Sequence, residues 1–333
     1  MSAHGGSAAL SYVLPLRMSE GADGREQLSG YLRELSGMCE EVIVVDGSPE
    51  PVFSENRRAW GEHVRHLAPD PAHRCLMGKV AGVLTGVHAA RNERVVLADD
   101  DVRYDARALA RVARELDAHD LVRPQNYFQP LPWHARWDTA RTLINRALGA
   151  DFPGTLGVRR SLLIACGGYD GDVMFENLEL IRTVEAAGGR VASPLDLYVR
   201  RLPPSASHFW GQRTRQAYDD FATPGRMATW LALAPAGVLA RALGARRARQ
   251  ALATGVLAAT LIAEAGRRRA GGARVFPLSC SLLAPAWVAE RGVCAWLAVW
   301  QRARFGGVRY RDSVIPTAAH STRELRKRLR SRS

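Results

Sequence analysis

The chain has 333 residues, enough for one full α/β domain plus an appended module. Its five cysteines, at 39, 75, 166, 280 and 294, are odd in number and scattered without CxxC spacing, which argues against a disulfide framework or a cysteine-built metal site and for reduced thiols in a cytosolic compartment. The net charge of +13 is uneven: residues 200–333 hold 24 Lys+Arg against 6 Asp+Glu, while residues 1–199 hold 22 against 27, so a slightly acidic domain precedes an arginine-rich one whose natural partner is an anionic surface.

No N-terminal run of charge, apolar core and cleavage site is present, so a secretory signal is not expected. Ser11 to Leu16 reads as a first strand, Glu26 to Gly37 as an amphipathic helix through Leu28, Leu32 and Leu35, and Glu41 to Val45 as a second strand. Asp46-Gly47-Ser48-Pro49 follows as a strong turn, the outline of a nucleotide-binding half-domain. His63 to Leu67 is a candidate third strand, and a helix begins at Gly78-Lys79 and runs to about Ala90. Lys79 is one of two lysines among 46 basic residues, and a lysine at a helix N-terminus suits a point-charge role toward phosphate.

The apolar run Val95 to Ala98 then ends in Asp99, Asp100 and Asp101. A strand buried on both faces would carry these carboxylates into the crevice where open α/β sheets bind ligands. Two readings are open: a solvated loop before a helix capped by Asp105, or a carboxylate site for Mg²⁺ or Mn²⁺. Further on, Asp120 to Pro124 and Gly154 to Val158 read as strands, with an aromatic stretch from Gln125 to Asp138 between them that fits a packed or lipid-facing surface as readily as an acceptor-binding wall. Arg160 to Cys166 reads as a short helix, and Phe175 to Leu180 opens another in which Glu176 and Glu179 can share one face.

In order and spacing, residues 10–220 resemble the family 2 glycosyltransferases. VLPLRMSE is similar to that family's opening strand, VIVVDGS to its nucleotide-contacting strand end, GKVAGVLTGVHAA to the helix before its metal motif, and VVLADDDV to its strand ending in Asp-x-Asp. GVRRSLLIACGGYD and FENLELIRTVEAAGG resemble its acceptor side. The resemblance implies an α/β fold of GT-A type, a Rossmann-like mixed sheet flanked by helices. It implies nucleotide contacts from Asp46 and Lys79, an Asp-x-Asp made of Asp99 and Asp101, and a divalent metal, Mg²⁺ or Mn²⁺, with a nucleotide-sugar donor.

The chain departs from the family in two places. Asn177 stands where the usual carboxylate base belongs, leaving Glu176, Glu179, Asp170, Asp172 or no base at all. Gln216 replaces the tryptophan of the Gln-x-x-Arg-Trp motif, in which Gln212 and Arg215 would hold the diphosphate, so a single sugar transfer is expected rather than polymer synthesis.

Beyond residue 222 the chain alternates uncharged runs with arginine-rich linkers, and no run reaches the length of a confident span. The expected organisation is a catalytic domain over 1–222, a basic, apolar helical membrane-associated module over 223–312 and a basic tail over 313–333, disordered over Arg323 to Arg332. The location expected is the cytoplasmic face of the cell membrane, with peripheral, re-entrant or, less simply, multi-pass helices and a lipid or lipid-linked acceptor. Nucleic acid is disfavoured as a partner because the arginines interleave with long apolar runs. Two alternatives remain, a non-catalytic membrane-binding protein retaining this fold and, less favoured, a sugar nucleotidylyltransferase.

Overall fold

The computed structural model describes residues 7–19, 24–310 and 313–331. The first ten strands in chain order are β1 (Ala8–Leu16), β2 (Cys39–Asp46), β3 (Arg65–Leu67), β4 (Arg94–Ala98), β5 (Val102–Arg103), β6 (Leu121–Val122), β7 (Gln125–Phe128), β8 (Thr155–Arg159), β9 (Val191–Ala192) and β10 (Tyr198–Arg201). Seven of them make the main sheet, in the order β3-β2-β1-β4-β8-β6-β9, and β5-β10-β7 makes a second, small sheet. Strands β3, β2, β1 and β4 are mutually parallel, whereas β8 runs antiparallel to both β4 and β6, so the sheet is mixed.

Alternation along the strands explains the layering. Val13, Ile43, Val95 and Leu97 point to one face and meet the helices Gly78–Ala89 and Glu176–Ala186. Tyr12, Leu14, Val44 and Val96 point to the other and meet Arg25–Ser36 and Ala106–Ala118. Asp105 caps the last of these helices as expected, its carboxylate accepting from the Ala108 amide at 2.7 Å.

The aromatic stretch at 125–138 divides into β7 and the start of a helix, Trp133–Leu148. That helix is the platform for the C-terminal module: Ala140, Leu143 and Ile144 pack with Trp230, Ala259, Ala263, Phe276 and Trp287. The module consists mainly of Pro224–Ala242, Ala245–Arg268 and Ala284–Phe305. Gly266 allows the close crossing, since a Cβ there would lie 1.9 Å from the Leu143 carbonyl oxygen.

The tail differs from the expectation of disorder. Thr322–Arg330 is a helix closed by a capping box between Ser321 and Glu324. The chain before it returns to the α/β domain, where Met174 and Phe175 donate backbone hydrogen bonds to Thr317 and Ala318. Among the described residues, no helix is long and apolar enough to cross a membrane.

Candidate active site

The C-terminal ends of β1, β2 and β4 lie together, and a cavity of about 630 Å³ opens there. Its wall takes Leu16 and Arg17 at the end of β1, Gly47 after β2, Asp99 to Asp101 after β4, and Lys79 from the first turn of Gly78–Ala89. Arg201, at the end of β10, closes the cluster. Lys79 lies between two acids, with its Nζ 2.5 Å from Asp99 and 2.8 Å from Glu176. Arg201 binds Asp101 through Nε at 2.8 Å and shares Asp99 with Lys79 through Nη2 at 3.3 Å.

The electrostatics follow from burial and crowding. Desolvation opposes the charge on Lys79 and Arg201, yet the neighbouring carboxylates outweigh it and hold both firmly protonated, above their ordinary values. Asp100 and Asp101 are pushed up from the usual carboxylate range, first by burial and, for Asp100, next by its two acidic neighbours. Asp101 Oδ1 is buried without a hydrogen-bond partner. An orphaned carboxylate oxygen beside two further carboxylates fits a hard divalent cation.

The cavity wall is otherwise charge-balanced, with Arg17, Arg74, Lys79, Arg141 and Arg201 facing Asp70, Asp99, Asp100, Asp101 and Asp138. A divalent ion would leave it suited to a diphosphate. Gly154 is required at this point because a Cβ would meet Asp99 Oδ2 at 2.6 Å and Arg201 Cζ at 3.0 Å.

A further part of the wall mixes aromatic, charged and amide side chains. It includes Phe128, Asp138, Arg141, His208, Phe209, Gln212 and Tyr310. The Gln212 amide touches the His208 ring, whose pKa is lowered by its partial burial and by Arg215 and Arg201. Asp138 is clamped by Arg213 at 2.9 Å and Arg141 at 3.5 Å, and although burial opposes its charge these guanidiniums hold its carboxyl far below the usual range. Trp133 and Trp210, each 51% exposed, form an aromatic cluster with Phe209 beside the cavity.

The structure thus gathers Lys79, Asp99, Asp101 and Gln212 around one cavity and sets Glu176 one ion pair away. Two expected roles need correction. The Asp46 carboxylate is 1% exposed and faces inward, accepting from Asn56 and the Ser48 amide, both at 2.8 Å, and paired with His66 at 3.1 Å. It braces the turn, and Gly47 supplies the cavity wall. Glu179 is fully buried away from the cavity, holding the His320 ring and backbone amide at 2.8 and 2.7 Å, so it cannot reach an acceptor as a base.

Arg215 lies behind the wall, over the Tyr310 ring at 5.8 Å. Asp172 accepts from the Leu76 amide, and Asp170 is paired with Arg328. Asp170, Glu179 and His320 are close enough to share an ion. Arg328, however, already donates to both Asp170 and His320, which places one compensating positive charge against the group. Asn177 donates to the Pro153 carbonyl at 3.1 Å. Arg201, His208, Asp138 and Arg141 were not apparent from the sequence.

No family model and no curated protein matches the sequence. Among solved structures, a mannosyltransferase from Pyrobaculum calidifontis, in complex with GDP-Man and Mn²⁺, aligns over 87% of each chain with a TM-score of 0.52 and 19% identity. A glucosyl-3-phosphoglycerate synthase from Mycobacterium tuberculosis, in complex with Mn²⁺, UDP and glucosyl-3-phosphoglycerate, covers 63% of this chain and 78% of that one at 0.42 and 18%. Mannosyl-3-phosphoglycerate synthase from Rubrobacter xylanophilus covers 62% and 71% at 0.43 and 15%. The likeness to the mannosyltransferase extends over nearly the whole chain. This chain has the GT-A type glycosyltransferase fold.

Proposed function

We propose that the protein is a metal-dependent, inverting glycosyltransferase of the family 2 kind that moves one sugar from a nucleotide sugar to an apolar or lipid-linked acceptor. The observation that carries this is the convergence of Asp99, Asp101, Lys79 and Arg201 on a cavity at the ends of three parallel strands. Asp99 and Asp101 would hold Mg²⁺ or Mn²⁺ in the cavity that His208 also lines. A cation so held neutralises the charge that develops on a leaving nucleoside diphosphate. Lys79 and Arg201 add fixed positive charge beside it, and Gln212 offers an amide to the diphosphate. Attack from the acceptor wall, opposite the leaving group, inverts the anomeric carbon. Titration of a nucleotide-sugar panel with and without Mn²⁺ tests this reading, and it fails if no nucleotide sugar binds.

An anionic membrane surface is the proposed setting, at the cytoplasmic face. The helix Ala245–Arg268 supports this by its reversed pattern: it buries the small residues Ala259, Ala263 and Gly266 and exposes Leu252, Val256, Leu257 and Leu261. Arg246, Arg247 and Arg249 stand at one end of that apolar run and Arg267 and Arg268 at the other. Large apolar side chains turned outward between arginine clusters suit a helix lying in the headgroup boundary. Flotation with anionic vesicles tests this. Release by high salt alone would count against apolar insertion.

A further inference from the structure

The small sheet β5-β10-β7 presents two unlike faces. Val102, Arg201 and Phe128 form one row across its three strands, and Arg201 and Phe128 line the cavity described above. The adjacent row is Arg103, Arg200 and Tyr127, which strand alternation turns to the opposite face. There a second cavity, a groove of about 350 Å³, lies between the sheet, the helix Arg25–Ser36 and the start of Ala106–Ala118. That volume is within the range of small-molecule sites.

Arg103 and Arg200 are directly opposite each other in the register, which sets like charges side by side at a cost to the strand pair. Neither makes an ion pair among the described residues. Arg103 Nη1 donates to the Asp100 and Val102 carbonyls at 2.6 and 2.9 Å, and Arg200 Nε to the Gln129 carbonyl at 3.1 Å. Burial pushes the Arg103 guanidinium down from its ordinary value, whereas Arg201, on the other face, is held up by its carboxylates. The acids that line the groove are Asp105, whose carboxylate caps the Ala108 amide, and the exposed Glu34.

Gly30 lines the same groove from the middle of Arg25–Ser36, and a Cβ built there meets no atom within 4 Å. A glycine inside a helix is destabilising relative to alanine, and no packing contact requires one here. Its missing side chain leaves room in the groove. Tyr31, Tyr127 and Tyr198 add ring surface, with the Arg103 guanidinium over the Tyr31 ring at 4.7 Å.

We propose that this groove is a second binding site, for a small phosphomonoester carried on a ring, of the sugar phosphate class. The phosphate lies between Arg103 and Arg200, received by the guanidinium nitrogens not used on carbonyls, and the ring lies along Gly30 and the tyrosines. A bound dianion relieves the repulsion between β5 and β10, and those strands also carry the acid cluster. Arg103 holds the Asp100 carbonyl, the Leu202 amide donates to the Asp101 carbonyl at 2.8 Å, and Arg201 holds Asp99 and Asp101. Resting on the glycosyl-transfer reading above, the bound ester tightens metal–nucleotide binding on the other face of the sheet, and linkage makes the effect reciprocal.

The test titrates the full chain by calorimetry, without metal or nucleotide, with glucose 6-phosphate, fructose 6-phosphate and ribose 5-phosphate, the free sugars, inorganic phosphate and dihexanoyl phosphatidic acid. At least one sugar phosphate is expected to bind ~10-fold or more tightly than its free sugar, inorganic phosphate or the lipid. Arg200→Gln and Gly30→Leu should each lower that affinity at least ~10-fold, and Gly30→Leu should melt no lower than the parent because its position is open. Nucleotide-sugar affinity with Mn²⁺ should rise at least ~5-fold under saturating sugar phosphate, and the rise should vanish in Arg200→Gln.

If no sugar phosphate binds, or if Arg200→Gln and Gly30→Leu bind it as well as the parent, the site is overturned. Equal affinity for the free sugar would overturn the phosphate contact, and equal affinity for inorganic phosphate would overturn the part given to the ring. Preference for the phosphatidic acid would overturn a small-molecule ligand in favour of a lipid headgroup. Unchanged nucleotide-sugar affinity would overturn the coupling. Absence of all nucleotide-sugar binding would defeat the glycosyl-transfer reading and the coupling with it, while the first titration still decides the site.

Discussion

Arg213 gives the sharpest energetic test of how the C-terminal module is joined to the cavity. Its side chain is 4% exposed and makes four hydrogen bonds: two to Glu290 on the helix Ala284–Phe305, at 2.8 and 2.9 Å, and one each at 2.9 Å to Asp138 and Gln216 on the cavity wall. Arg213→Ala leaves Asp138 with Arg141 and Glu290 with Trp137, and removing one partner of a buried pair costs about 3–5 kcal/mol. At roughly 2 °C per kcal/mol for a chain of this size, melting should fall by about 6–10 °C.

Glu290→Gln keeps the shape and one acceptor and should lose less, about 1–2 kcal/mol. The Asp138 carboxyl is held below its ordinary value, so its contribution is complete above the normal carboxylate range and disappears as pH falls through the folded value. Asp138→Asn should therefore narrow its stability gap to the parent in acid. Urea unfolding at neutral pH and in acid reads all three. A loss below about 1 kcal/mol in Arg213→Ala would show that water reaches this network and that the clamp is not structural.

Three other outcomes follow from local contacts. Asn177→Asp sets a carboxylate against the Pro153 carbonyl in place of a donated hydrogen bond, so it should lose about 1–3 kcal/mol in a melting experiment without raising turnover. Burial, with Glu176 and Asp220 adding repulsion, pushes the Asp219 carboxyl up to about 8. A raised folded value means stability is lost as pH climbs from the ordinary carboxylate range through that point, by up to about 1.4 kcal/mol per pH unit. The melting advantage of Asp219→Asn should accordingly grow between about pH 5 and pH 8. Gly154→Ala pushes on Asp99 and Arg201, and calorimetry should show Mn²⁺-dependent nucleotide-sugar affinity lowered at least ~10-fold, with little change in melting.

The acidic cluster at the strand ends was legible because its residues are contiguous with strong local signals. Short apolar runs fix parallel strands, and the polar residues that end them, such as Asp99 and Asp101, must then meet at one sheet edge. Asp46 shows the limit of that logic. It ends a strand in the same row, but Asn56 and His66 turn its carboxylate inward, and neither is marked by sequence as its partner. Glu179 was misplaced for a similar reason, since His320 lies 141 positions away.

Arg201 was hidden among many arginines on a four-residue strand. His208 had no motif of its own. The tail helix, in contrast, carried a readable signal, the Ser321 and Glu324 spacing of a capping box. The helix Trp133–Leu148 was obscured because its apolar face meets the C-terminal module, a tertiary contact without a local pattern.

Calorimetric titration of nucleotide sugars into the protein and into Asp101→Asn, each with and without Mn²⁺, addresses the proposed donor site most directly. Binding to the parent should require the metal, and the asparagine variant should lose at least ~10-fold in affinity, about 1.4 kcal/mol. Absence of nucleotide-sugar binding, or equal metal-dependent affinity in Asp101→Asn, would contradict it.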